Sequence, residues 1–252
     1  MRYSGALTVE AFLVMADLTS LGIHIYADGA EISGILEMAK NPLIRGFTTN
    51  PTLMRKAGIA DYEKFARELL EKITIHPVSL EVFADDFPEM RRQAHIIAGW
   101  GKNVNVKIPI TNTRGESSID LVADLVKSGI VVNVTAIMTI QQVEELSHVL
   151  SPSLTSIVSV FAGRIADTGV DPVPHMASCR ELLKGVPAAQ LLWASPRELL
   201  NIFQADEVGC QIITVTNDVL AKLKLIGKPL DAYSLETVEM FRRDALAASY
   251  TI

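Results

Sequence analysis

Eight short apolar or β-branched runs recur along the chain, around residues 23–28, 46–50, 78–83, 104–110, 130–137, 157–163, 191–195 and 212–215. Stretches with helical spacing of apolar residues lie between them, clearest over 62–73, 90–100, 118–127, 140–150 and 197–204. Strands that alternate with helix-length segments must be parallel and joined by crossovers, and eight such units close on themselves. The pattern predicts an α/β protein, a single (β/α)8 TIM barrel. No linker rich in Gly, Pro or Ser divides the chain, so residues 1–252 are expected to form one domain around one large core.

Two amphipathic segments lie outside the repeat. Residues 8–18, with Ala11, Phe12, Val14, Met15 and Leu18 apolar, predict an extra N-terminal helix covering the barrel bottom. After Pro229, the run Ser234-Leu235-Glu236-Thr237 reads as a capping sequence for a final helix through about residue 248. Its Val238, Phe241 and Leu246 can pack on the barrel or on a neighbouring subunit.

Charge and cysteine usage narrow the function. The formal charge is -6 and no dense Lys/Arg stripe occurs, which argues against a nucleic-acid partner. Cys179 and Cys210 have no C-x-x-C spacing, and the five histidines show no paired ligand spacing. Neither a disulfide framework nor a metal site is expected, and no cofactor is implied. The first residues lack a basic region followed by an apolar core, and no run approaches eighteen apolar residues. The expectation is a cytoplasmic protein with no membrane partner.

Parallel strands buried on both faces should be apolar nearly throughout. Here polar residues recur on one face: His24, Tyr26 and Asp28; Ser79 and Glu81; Asn105 and Lys107; Asn133 and Thr135; and Ser159. Any one of these can be a satisfied core group. Each unpaired buried polar group costs on the order of 1–3 kcal/mol, so five strands doing this together read best as an active site. Barrel catalytic residues sit at the C-terminal ends of strands, where Asp28, Asn50, Lys107 and Ser195 fall.

Lys107 carries the chemistry, although a lone strand lysine can also be an edge residue reaching for water. Desolvation disfavours the ammonium form of a lysine and makes its amine able to attack a ketone and form a Schiff base. Such a reaction needs a proton shuttle, which Asp28 or Glu81 can supply directly or through a held water. Asn50, Asn133, Thr135 and Ser159 suit the hydroxyls of a polyol, so the inventory points to an aldol reaction on a sugar.

Five segments carry a resemblance from about residue 23 to 248: Gly46-Phe47-Thr48-Thr49-Asn50-Pro51-Thr52, Val78-Ser79-Leu80-Glu81-Val82, Val104-Asn105-Val106-Lys107-Ile108-Pro109, Phe161-Ala162-Gly163-Arg164-Ile165 and Gly209-Cys210-Gln211-Ile212-Ile213-Thr214-Val215. In this order they resemble the transaldolase and fructose-6-phosphate aldolase family of class I aldolases. The resemblance implies that Lys107 forms a Schiff base with a dihydroxyacetone unit, that Asp28 is the general acid/base, and that Glu81 and Thr135 position a catalytic water. It implies that Asn50, with Thr49 beside it, and Asn133 and Ser159 hold substrate hydroxyls, and that Arg164, Ser195 and Arg197 bind a phosphate; Phe161, which has no hydroxyl, reads as a pocket wall and not as a chemical participant. Two guanidinium forks and a hydroxyl suit a phosphate dianion. The implied partners are small sugar phosphates, and a ring-like homo-oligomer is implied through the C-terminal helix.

Within the family, glutamine at the place of Glu81 and tyrosine at that of Phe161 mark the aldolase branch, so this chain leans toward transaldolase. An aldolase releasing free dihydroxyacetone and a sugar-phosphate-binding barrel that has lost catalysis stay open. The chain departs from the family at Gly29, at Val160 and in Ala194-Ser195-Pro196-Arg197, where a proline follows the serine. Proline fixes φ and removes a donor, so this loop can be reshaped and Arg197 redirected, which leaves open a sulfonate or a longer sugar in place of an ordinary phosphate. Arg197 can also pair with Glu198, and Arg164 with Asp167, as purely structural ion pairs.

Overall fold

A computed structural model describes residues 21–251. They fall into two compact units, Leu21–Leu220 and a C-terminal segment beginning at Ala221. The helix expected over 8–18 lies outside the described residues.

The first unit is a closed barrel of eight parallel strands, β1 (His24–Asp28), β2 (Ile44–Thr48), β3 (Val78–Glu81), β4 (Val104–Pro109), β5 (Val132–Ile137), β6 (Ser156–Val160), β7 (Ala189–Trp193) and β8 (Ile212–Thr216). Each strand pairs with the next, and β8 pairs with β1. The helices between them are α1 (Ile32–Met38), α2 (Pro51–Lys56), α3 (Tyr62–Lys72), α4 (Phe87–Ala98), α5 (Ile119–Lys127), α6 (Ile140–Ser147), α7 (Ala162–Asp167), α8 (Pro172–Leu182), α9 (Leu200–Val208) and α10 (Asn217–Leu220). The expected (β/α)8 TIM barrel is therefore the architecture of this unit.

Local chemistry starts and stops these elements. Asp61 and Asp86 cap α3 and α4 by accepting backbone N–H bonds, and Thr139 with Gln142 forms a capping box on α6. Gly209 ends α9 in the left-handed region, at φ 83°. Helix α8 opens on Pro172 with Pro174 two residues on, a pair that reads as a breaker in sequence. Proline is tolerated in a first helical turn, whose N–H groups have no helical partner.

One apolar layer, Val106, Leu80, Val134, Val160, Trp193 and Val215, is fully buried outside the strands. Inside, Tyr26, Ile157, Leu192, Ala194 and Ile212 form a second cluster. Tyr26 lies flat over Gly46, where a Cβ would come within 2.5 Å of its ring, so position 46 must be glycine for the tyrosine to fit. His24 shares the alternation of Tyr26 and Asp28 but is exposed at the strand's entry end, away from any inward cluster.

In the second unit, α11 (Leu230–Ala247) begins four residues before Ser234. Pro229 occupies its N-cap position, and the expected cap at Ser234 is an exposed position inside the helix. A proline without an N–H ends the preceding turn and allows the helix to start at once.

Candidate active site

A cavity of about 950 Å³ opens at the C-terminal ends of the strands. Asp28, Glu81, Lys107, Asn133, Thr135 and Ser159 reach it from β1, β3, β4, β5 and β6. Register explains the grouping: Glu81 is the Cα partner of Lys107, Lys107 of Asn133, and Thr48 of Asp28. Side chains that alternate on a strand share a face, so residues in adjacent register converge inside the barrel.

Lys107 is 7% exposed. Its Nζ lies 2.9 Å from Glu81 Oε2 and donates to the carbonyl of Thr49 at 2.8 Å. The amine is thus shut away from bulk water but held against a carboxylate, not surrounded by apolar groups alone. Thr49 meets Lys107 only through that carbonyl. Its own hydroxyl donates to the Ser79 carbonyl at 3.1 Å, and Thr49 is not among the residues that line the cavity. The strand β3 end is fixed from behind by Tyr62, whose hydroxyl donates to the Glu81 carbonyl at 3.1 Å.

Asp28 accepts from Thr48 Oγ1 at 2.9 Å and from Asn50 Nδ2 at 3.1 Å. Asn50 stands two residues beyond β2 as the N-cap of α2, its Oδ1 accepting from the Leu53 N–H at 2.9 Å, with Pro51 in the first turn. That cap fixes which end of the amide faces Asp28. Burial pushes the Asp28 carboxyl above its ordinary range, while the Lys107 ammonium and the bonds from Thr48 and Asn50 pull it down.

On the opposite wall, Ser159 Oγ donates to Asn133 Oδ1 at 2.6 Å and Asn133 Nδ2 donates to Ser79 Oγ at 3.0 Å. This chain orients the Asn133 amide and leaves it one N–H for a ligand hydroxyl. Thr135 also lines the cavity, and the residue after it, Ala136, is held at φ 62° where β5 and β6 shift register.

The outer arm of the cavity is lined by Phe161, Arg164, Ser195 and Arg197. Arg164, on α7, stacks over the Phe161 ring at 5.4 Å. Arg197 takes the Asp167 carboxylate with both Nε and Nη2, so Asp167 pairs with Arg197 and neither Arg164 nor Glu198 makes the ion pair considered from sequence. Asn201 Oδ1 accepts from the Arg197 and Glu198 N–H groups and holds the loop. Ser195 sits at φ 60° just before Pro196, a conformation that costs about 1–3 kcal/mol and must be imposed by its surroundings. Its carbonyl packs on Gly163, where a Cβ would stand 1.6 Å from that oxygen.

Thr48 and Thr214, neither of them among the candidate residues above, line the cavity beside Asp28 with hydroxyls in contact. On β8 the alternation that marks Asp28 also marks Thr214, since Thr214 and Thr216 share a face and Ile213 and Val215 take the other, whereas on β2 Thr48 shares its face with Ile44 and Gly46 and no polar alternation marks it. No cluster of three or more His, Cys, Asp or Glu side chains suited to a metal ion occurs among the described residues.

A family model described as Transaldolase/Fructose-6-phosphate aldolase matches residues 25–251. Curated relatives include a protein named probable transaldolase from Dehalococcoides mccartyi, 33% identical over 80% of this chain and 90% of its own. Another of that name from Chelativorans sp. is 32% identical over 84% of this chain and 94% of its own. Among solved structures, a 2,3-dimethylmalate lyase (TM-score 0.56, 12% identity, 92% of this chain and 86% of that one) and the dihydrodipicolinate synthase of Rhodopseudomonas palustris (TM-score 0.51, 13% identity, 90% and 80%) are similar in fold.

Proposed function

The chain belongs to the transaldolase and fructose-6-phosphate aldolase family, enzymes of the class I aldolase type, and on that premise we propose that it transfers a dihydroxyacetone unit from a ketose phosphate to an aldose phosphate through an imine on Lys107. The observation that carries this reading is Lys107 Nζ buried 2.9 Å from Glu81, in the cavity that Asp28 also lines. Lys107 passes a proton to Glu81 and the free amine adds to the ketose C2 carbonyl. The carbinolamine loses its oxygen as water, with Glu81 returning the proton and Thr135 helping to hold that water.

Asp28 then takes the C4 hydroxyl proton as the C3–C4 bond breaks, the electron pair flows into the protonated imine, and the shortened aldose phosphate leaves. The resulting enamine attacks the acceptor aldehyde through C3, and Asp28 gives its proton to the new hydroxyl. Water finally hydrolyses the imine. Asn50, Asn133 and Ser159 hold the unit's hydroxyls, and Arg164, Ser195 and Arg197 hold the terminal anion. No metal or cofactor enters these steps.

Glu81 as an acid and Phe161 without a hydroxyl favour transfer over release of free dihydroxyacetone. The test is borohydride reduction in the presence of fructose 6-phosphate, followed by mass analysis of the Lys107 peptide. A stable adduct on another residue, or none, removes the imine reading. Dihydroxyacetone released without an acceptor aldehyde would instead favour the aldolase reaction.

The same reading places the protein in the cytoplasm, and no described helix is long and apolar enough to cross a membrane. Exposed Leu230, Leu235, Val238, Phe241 and Leu246 on α11 support a homo-oligomer, ring-shaped by family likeness. A monomer in solution at working concentration would count against it.

A further inference from the structure

A threonine hydroxyl carries one hydrogen. Thr48 Oγ1 gives that hydrogen to Asp28 Oδ1 at 2.9 Å, and it also touches Thr214 Oγ1. With its hydrogen committed, Thr48 can only accept in the second contact, so Thr214 is the donor. Strand register builds this row: Thr48 on β2 is the Cα partner of Asp28, and Thr214 on β8 is the partner of Tyr26, two residues before Asp28 on the same face. Thr48 is 3% exposed and Thr214 9%, so water is a poor substitute for either.

We propose that Thr214 is a positioning residue for Asp28, directing a one-way donor chain from Thr214 through Thr48 that holds the carboxylate ionised and fixed in orientation. The inference rests on the reading of Asp28 as the acid/base of the transfer. When Asp28 takes up a proton the chain can reverse, with the acid donating to Thr48 and Thr48 donating to Thr214. A bond donated to a full negative charge is stronger than its neutral counterpart, so the chain still favours the ionised form.

Other groups act on the same carboxyl. The Lys107 ammonium from β4 favours ionisation, as does the amide of Asn50, and Glu81 from β3 opposes it. Glu31 and Asp218 line the cavity from the starts of α1 and α10. Thr214 differs from all of these in acting only through another hydroxyl.

The test follows the Asp28 carboxyl carbon by 13C NMR through a pH titration, its signal identified by loss in Asp28→Asn, alongside the pH profile of kcat/KM. Thr214→Val keeps the shape and removes the donor. It should move the Asp28 titration and the acid limb to higher pH by roughly half a unit, about threefold in kcat/KM on that limb. Thr48→Val should move them further, and Thr214→Ser should restore the wild-type values. A Thr214→Val titration like wild type while Thr48→Val shifts overturns the proposal, as does a Thr214→Ser that behaves like the valine. Thr214→Ala carries the same expectation if the valine variant does not fold. Wild-type enzyme that turns over no ketose phosphate would defeat the functional reading instead, because the NMR titration needs no turnover.

Discussion

The guanidinium of Arg197 is forked onto the carboxylate of Asp167, thirty residues earlier in the chain. Arg164 lies on the same helix as Asp167, yet it stacks on Phe161 and meets no acid among the described residues. Of the two arginines on the outer arm, one is therefore already compensated and the other is not.

This asymmetry predicts unequal losses. A bond from a charged donor contributes about 1.5–3 kcal/mol, so Arg164→Ala should raise KM for a phosphorylated ketose by roughly 10–100-fold with kcat little changed. Arg197→Ala should cost less, about threefold, because its fork onto Asp167 is half exposed and screened. Steady-state kinetics with phosphorylated and unphosphorylated ketoses checks this. Equal losses for the two variants would mean that substrate displaces Asp167.

Gly163 sets the shape of the same arm. A methyl group there would stand 1.6 Å from the Ser195 carbonyl oxygen and 3.3 Å from Arg197 Nε, so Gly163→Ala must push the 195–197 loop outward. Overpacking of this kind costs about 1–3 kcal/mol. The variant should melt earlier and bind the anionic substrate more weakly, while the rate of imine trapping with unphosphorylated dihydroxyacetone stays near wild type. A normal KM for the phosphorylated substrate would show that the loop does not touch the terminal anion.

Removing the acid beside the lysine should act on kcat. Glu81→Gln leaves Lys107 with the Thr49 carbonyl but no carboxylate to receive its proton. General acid–base assistance contributes about 10²–10⁴-fold, so kcat and the rate of borohydride trapping should both fall within that range, with KM nearly unchanged. An unaltered trapping rate would assign the proton transfer to Asp28.

The barrel was legible because its signal is periodic. Inward alternation on β3, β4, β5 and β6 identified Glu81, Lys107, Asn133, Thr135 and Ser159, and strand register does the rest by bringing them to one cavity. The same rule misled at His24, since alternation says which face a residue takes but not how far along the barrel it lies. Helices α2, α7 and α10 are too short to show a repeat, and α8 hides behind two prolines. The partner of Asp167 was not legible either. Sequence spacing offered Arg164, three residues away, but the left-handed turn at Ser195 carries Arg197 across to it. Such choices depend on backbone conformation that no local pattern encodes.

The environment of Asp28 also makes a stability prediction whose sign can be worked out. Burial raises its carboxyl above the unfolded value of about 3.9, with Lys107, Thr48 and Asn50 only partly offsetting this. Above the unfolded value the folded chain therefore binds more protons than the unfolded one, and stability falls as pH rises through the raised value. Asp28→Asn removes that cost without losing the bonds: its amide can donate to Thr48, which turns its own hydrogen to Thr214, and its oxygen still accepts from Asn50. The variant should be inactive but melt above wild type at pH 7–8, and the difference should close as pH falls below about 3.9, where both states of the wild type are protonated. Calorimetric melts across that range decide it. A gap that stays constant with pH, or an asparagine variant less stable at pH 8, would mean that the carboxylate at this site is stabilised by its donors and Lys107 more than burial destabilises it.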